Sequence, residues 1–156
     1  GVTITAGQSF VMQSEGNDGI AVFEDTYGFA ADLYTSAFFS NGDDRYILAD
    51  ADDGGGVATN IVDIHGEIDV DGTGTAWEYL DGYAYRLPTA INGNGGVFAI
   101  GEWFHSGVDA LEAGGDDAAE KALILSVTTP GTHNYVPEPA SFALIGLGSL
   151  AMFRRR

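Results

Sequence analysis

Two short stretches crowd carboxylates and glycines into the space of a turn: Asp50-Ala51-Asp52-Asp53-Gly54 and Asp69-Val70-Asp71-Gly72-Thr73-Gly74-Thr75. Hard cations such as Ca²⁺ need roughly six to eight oxygen ligands, so Asp50, Asp52 and Asp53, and Asp69 and Asp71, are the candidate metal ligands. Neither stretch completes an EF-hand loop. The closing glutamate would fall at Ile61 counted from Asp50 and at Leu80 counted from Asp69. A solvated acidic turn is the plainer reading of both, and no motif requires a cofactor.

Asp63, His65 and Glu67 alternate along a probable strand. Side chains two apart are about 6.6 Å apart, so a metal there would need ligands from a second strand. His105 and His133 show no evident partner in the sequence. Nucleophilic catalysis finds no Gly-x-Ser-x-Gly, and Ser106 beside His105 is adjacency alone. Twenty-three acids ensure that some carboxylate pair falls near a hydrolase spacing, which makes such a pair uninformative. Gly-rich Asp53 to Val57 lacks the Lys of a phosphate loop. The aromatics Trp77, Tyr79, Tyr83 and Tyr85, with Trp103, would stack on sugar rings if they shared an exposed face, although such residues are more often core. The chain is therefore expected to be non-enzymatic.

The elements that must position these groups read as short strands. Val2-Thr3-Ile4-Thr5 alternates, and Phe10-Val11-Met12 and Ile20-Ala21-Val22-Phe23 flank a Gly16 to Gly19 turn as a hairpin would. Tyr27 to Phe39 suits either period. Tyr46-Ile47-Leu48 is a strand, and Ile61 to Val70 is the cleanest one, with Val62, Ile64, Ile68 and Val70 facing the core and Asp63, His65, Glu67 and Asp69 facing water. Trp77 to Leu80 and Tyr83 to Leu87 flank Asp81-Gly82, the chemistry of a type I′ turn, which would set Trp77 opposite Arg86 for indole–guanidinium stacking. Val97 to Phe104 reads as a largely buried strand. Ala118 to Leu125 suits a helix by propensity, but the alternation of Leu123, Leu125 and Val127 predicts a closing strand.

About eight short strands joined by Gly, Asp and Asn turns predict an all-β domain, a β-sandwich or jelly roll, over residues 1–127. A polar linker follows at 128–135. Composition agrees: 156 residues with 23 Gly, 4 Pro and 45% hydrophobic content suit one turn-rich domain. No Cys is present, which removes disulfides and thiolate sites. Only Arg45, Arg86 and Lys121 oppose the 23 acids before the last three residues, and the net charge is −17. Nucleic acid is excluded as a partner, because phosphate binding needs a cationic surface.

The end of the chain differs in kind. Val136-Pro137-Glu138-Pro139-Ala140-Ser141 breaks the chain, Ala140 to Phe153 carries no formal charge, and Arg154, Arg155 and Arg156 close it. As a helix those fourteen residues would reach about 21 Å, short of the roughly 30 Å hydrocarbon core. The arginines would anchor the C-terminus on the cytoplasmic side. These parts, in this order, resemble the PEP-CTERM sorting signal of exosortase substrates. That resemblance covers residues 136–156 alone. It implies transient insertion of an apolar C-terminal helix in the inner membrane of a Gram-negative-type bacterium and cleavage by an exosortase near Pro137 to Pro139. Release to the cell surface or an exopolysaccharide matrix would follow. Gly1 is not an initiator Met and no apolar leader precedes it, so an export signal is expected to have been removed or left out of this sequence. The expected role is structural or adhesive, with homopolymer formation by addition of Val2 to Thr5 to a neighbour's sheet. The alternative is a calcium-assisted carbohydrate-binding module.

Overall fold

Helical and strand segments alternate in the first third of the chain, where a hairpin was expected. In the computed structural model, residues 3–5, 7–16, 18–36 and 40–132 are described. Val2, His133, the sorting tail and its expected apolar helix lie outside them. Strand β1 (Met12–Ser14) is followed by helix α1 (Gly19–Tyr27) and strand β2 (Leu33–Thr35), and β1 and β2 pair in parallel with Met12 opposite Leu33. Residues 3–5 form no strand.

The run Ile20 to Phe23 is thus helical. Four apolar residues satisfy either period, and ring packing decides between them. The Phe23 and Tyr27 rings, one turn apart, meet at 4.8 Å, and Phe29 meets Phe23 edge-on at 5.4 Å. Gly28, at φ 76°, ends the helix in the left-handed conformation and donates its N–H to Glu24 O. Gly19 is required at the entry, since a Cβ there would lie 2.4 Å from Ser14 O.

Two antiparallel ribbons form the middle of the molecule. Strand β3 (Tyr46–Ala49) pairs with β4 (Ile61–His65), and β5 (Ala84–Arg86) pairs with β6 (Trp103–His105). The expected strand from Ile61 to Val70 stops at His65, because Gly66 takes φ 82° and residues 67–70 turn away. The expected Trp77 to Leu87 hairpin is replaced. Asp81 adopts φ 49° but Gly82 does not follow it into positive φ, so no type I′ turn forms. Gly82 instead permits close approach: its Cβ would fall 2.5 Å from Gly107 O and from Ser106 Oγ. Residues 97–99 form no strand, Val97 is 73% exposed, and a 3₁₀ turn (Ile100–Glu102) leads into β6.

Ala118 to Leu125 is also corrected, from strand to helix. Helix α2 (Asp117–Val127) starts at Asp116, whose carboxylate accepts from Ala119 N at 2.9 Å, and Asp117 and Glu120 sit in the first turn where the helix dipole favours negative charge. Lys121 Nζ reaches Asp25 Oδ2 at 2.6 Å, and that hydrogen bond and charge hold the Asp25 carboxyl below its ordinary range. Tyr27 OH and Thr128 Oγ1 lie 2.7 Å apart. The two helices are therefore clasped at the far ends of the sequence. Short strands in small sheets, with two helices, make up the described fold. Among the described residues they form three two-stranded sheets, and the large sheets of a sandwich or jelly roll are not assembled.

Replacing Asp116 by Ala should remove about 1 kcal/mol of stability, the usual worth of a helix N-cap. Chemical denaturation followed by far-UV circular dichroism measures it, with an unchanged midpoint as the opposing result.

Candidate functional site

The β5–β6 ribbon sorts its side chains cleanly. Its register sets Ala84 opposite His105, Tyr85 opposite Phe104 and Arg86 opposite Trp103. Alternation therefore sends Arg86, Trp103 and His105 to one face and Tyr85 and Phe104 to the other. The inward face meets the end of β4.

There His65 Nε2 and His105 Nε2 lie 3.1 Å apart. One nitrogen donates and the other accepts, an arrangement that two neutral rings supply. His65 is 4% exposed, contrary to its expected place on a wet face, and His105 gains the partner that its sequence neighbours did not reveal. The rings of Trp77, Tyr79, Phe98 and Trp103 surround His65 edge-on, at 5.8, 5.5, 5.7 and 4.8 Å. Trp77, 2% exposed, closes this shell by lying against two glycines. A Cβ on Gly72 would lie 2.4 Å from Trp77 Cζ3, and one on Gly66 would lie 3.2 Å from Cη2.

Burial first and the His105 imidazole second bring the His65 pKa down to about 4, against an opposing influence of the Asp44 backbone. Burial lowers that of His105 as well. Tyr79 is pushed up by burial and by hydroxyl contact with Tyr46. Every group here is therefore held uncharged. Ser106 Oγ accepts from Tyr83 N and donates to Gly107 O, so its role is to fasten the backbone.

Arg86 lies over the Trp103 ring at 5.5 Å, where Trp77 was the expected partner. Its guanidinium also pairs with Asp63 and, at 2.7 Å, with Glu102 Oε2. Asn94 completes the support: its side chain donates to Ile64 O at 2.8 Å and accepts from Ile64 N at 2.9 Å. That amide covers the outer edge of β4 as another strand would.

The acidic candidates fall into separate loops. In the first, Asp52 Oδ1 accepts from Gly54 N at 2.5 Å, and Asp53 Oδ1 accepts from Gly55 N and Val57 N at 2.7 and 3.1 Å. Those backbone bonds lower the Asp53 pKa. Asp50 accepts from Asn60. In the second, Asp71 accepts from Thr73 N at 2.9 Å, with its pKa lowered accordingly, and Asp69 lies 3.8 Å from Arg45. Asp69 and Asp71 line a cleft of about 570 Å³ together with Asp43, Asp44 and Arg45. Among the described residues no group of three or more His, Asp or Glu is placed to hold a metal ion.

The four aromatics singled out for sugars divide. Trp77 and Tyr79 enter the His65 shell, whereas Tyr83 and Tyr85 lie on the outer face of the ribbon. Phe104, which the sequence placed in a buried run, joins them. Tyr85 and Phe104 stack at 4.9 Å with planes 22° apart, and Tyr83 lies 6.4 Å from Tyr85, 12° from parallel. Tyr85 is 44% and Phe104 36% exposed. Strict alternation from Trp103 inward and Phe104 outward was the available signal.

Comparison with known proteins bears on the tail. Residues 136–156 match the PEP-CTERM protein-sorting motif. Such signals are recognised by exosortase, so the PEP-CTERM tail marks the chain for export toward the cell surface. No curated protein and no solved structure matches the chain. Among the described residues no helix is long and apolar enough to cross a membrane, and the PEP-CTERM tail lies outside them.

Two outcomes follow for the domain that precedes the PEP-CTERM tail. Because His65 is lowered from an ordinary value of 6.5 to about 4, its contribution to stability is complete above pH 6.5 and is lost as pH falls toward 4. Thermal melts from about pH 7 to pH 5 should slope more steeply for the native chain than for His65→Gln; equal slopes would remove the imidazole as the cause. Gly72→Ala should destabilise by about 2 kcal/mol through collision with Trp77 and Asp43 O, measured as a lower denaturation midpoint.

Proposed function

We propose that this protein is a non-catalytic structural and adhesive component of the bacterial cell surface or extracellular matrix, delivered there by its PEP-CTERM tail. The observation that carries the reading is the distribution of apolar surface. Among the described residues three large hydrophobic side chains are buried, Phe23, Ile64 and Trp77, against eighteen that are exposed, including Val57, Val22 and Leu48 at 62, 60 and 59%. Exposure on that scale suits a protein whose packing is completed by other molecules.

The sheets support the same reading. Among the described residues all three have two strands, so each strand has one side without a sheet neighbour there. Residues 3–5 belong to no sheet, which leaves them available to lie along such an edge in a neighbouring copy. Main-chain hydrogen bonds across copies would then build a fibre, and the acidic surface would keep unassembled chains apart.

Negative-stain electron microscopy of secreted material should show fibres, and deleting residues 1–6 should abolish them. Fibres that persist unchanged after the deletion would sink the strand-addition form of this proposal.

A further inference from the structure

A groove of about 740 Å³ is lined by residues of β1, α1, β5 and the end of α2. Phe23 and three tyrosines, Tyr27, Tyr83 and Tyr85, supply its rings, and Ser126, Thr128, Thr129 and Thr132 supply hydroxyls. In a chain with 23 acids, no Asp or Glu is among the described residues that line it. The one cation lining it, Arg86, is already matched by Asp63 and Glu102. The groove is a neutral strip on an acidic protein.

Its hydroxyls are oriented. Ser126 Oγ donates to Leu123 O, Thr128 Oγ1 to Ile124 O and Thr132 Oγ1 to Thr129 O, at 2.7, 2.6 and 3.0 Å. A hydroxyl whose proton is committed to the backbone still has lone-pair capacity to accept from a ligand. Aromatic faces beside hydroxyl acceptors fit a ligand with apolar C–H faces and many O–H donors. A polyanion would meet the field of a chain at −17, and a wholly apolar segment would bury these hydroxyls while offering them nothing.

We propose that the face formed by Tyr83, Tyr85 and Phe104, continued by the hydroxyl-lined groove, binds a neutral polysaccharide chain. The sugar rings lie against the Tyr85–Phe104 pair, and their hydroxyls donate into the groove at the end of α2. No metal takes part, because the carboxylates of both acidic loops lie outside this site. The inference rests on the extracellular placement proposed above only for where the polymer is met.

Affinity electrophoresis of the full chain in a polyoxyethylene detergent tests it, with hydroxyethylcellulose, mixed-linkage β-glucan and galactomannan as neutral probes and alginate as the acidic one. At least one neutral polymer should retard the native chain, alginate should not, and EDTA should change nothing. Tyr85→Thr should weaken retardation roughly tenfold, while Tyr85→Phe, which keeps the ring, should migrate as the native chain does. Thermal melts of both variants establish that each is folded, and Phe104→Thr serves if Tyr85→Thr is not. Absence of retardation by every neutral probe, retention equal in the Thr variants, or loss of retardation with EDTA would each overturn the proposal. Fibres without retardation would remove this site and leave the assembly reading standing; retardation without fibres would do the reverse.

Discussion

An imidazole–imidazole hydrogen bond joins the two antiparallel ribbons, and much of the middle of the molecule is arranged to keep it dry. His65 ends β4 and His105 ends β6, so the contact ties two sheets that share no backbone ladder. Neutral rings avoid the cost of burying an ion, and the edge-on aromatics place their positive rims against the π faces they meet. Trp77 is the lid of this arrangement. It can close only because residues 66 and 72 carry no side chain, so two glycines far apart in a local reading act on one indole.

The scarce cations have complementary work. Arg45, Arg86 and Lys121 each meet an acid, and the last joins residues 96 positions apart. Only Arg86 is substantially buried, with its side chain 12% exposed. Breaking such a pair is costly because the remaining carboxylates lose their partner inside the protein. The two exposed acidic loops solve the opposite problem. With few cations to satisfy them, Asp52, Asp53 and Asp71 turn to their own backbone N–H groups, which shapes the loops and accounts for their closely spaced Asp and Gly without any ligand.

The legible parts of the sequence were those decided within a few residues. The tail is read from covalent order alone, and β3 and the first half of β4 from short apolar runs. What the sequence hid was decided at a distance. Asp81-Gly82 has the composition of a hairpin turn, yet β5 finds its partner in β6, and Gly82 serves a close approach to Gly107. Ile20 to Phe23 and Leu123 to Val127 alternate well enough for strands, but ring packing and capping on neighbouring residues make both helical. His65 was assigned to water by strict alternation, a rule that holds only where one face of a ribbon is covered. Here Asn94 guards the edge and Trp77 the face, so the final residue of β4 is buried as well.

The clasp between Tyr27 and Thr128 has a consequence for how the protein stands relative to its attachment point. It fixes the last described segment, Thr128 to Thr132, as one wall of the groove. The sorting motif begins at residue 136, and the backbone from Thr132 to Val136 can span at most about 14 Å. Thr132 lines the groove, so covalent reach alone sets the first residue of the sorting motif within that distance of the groove wall.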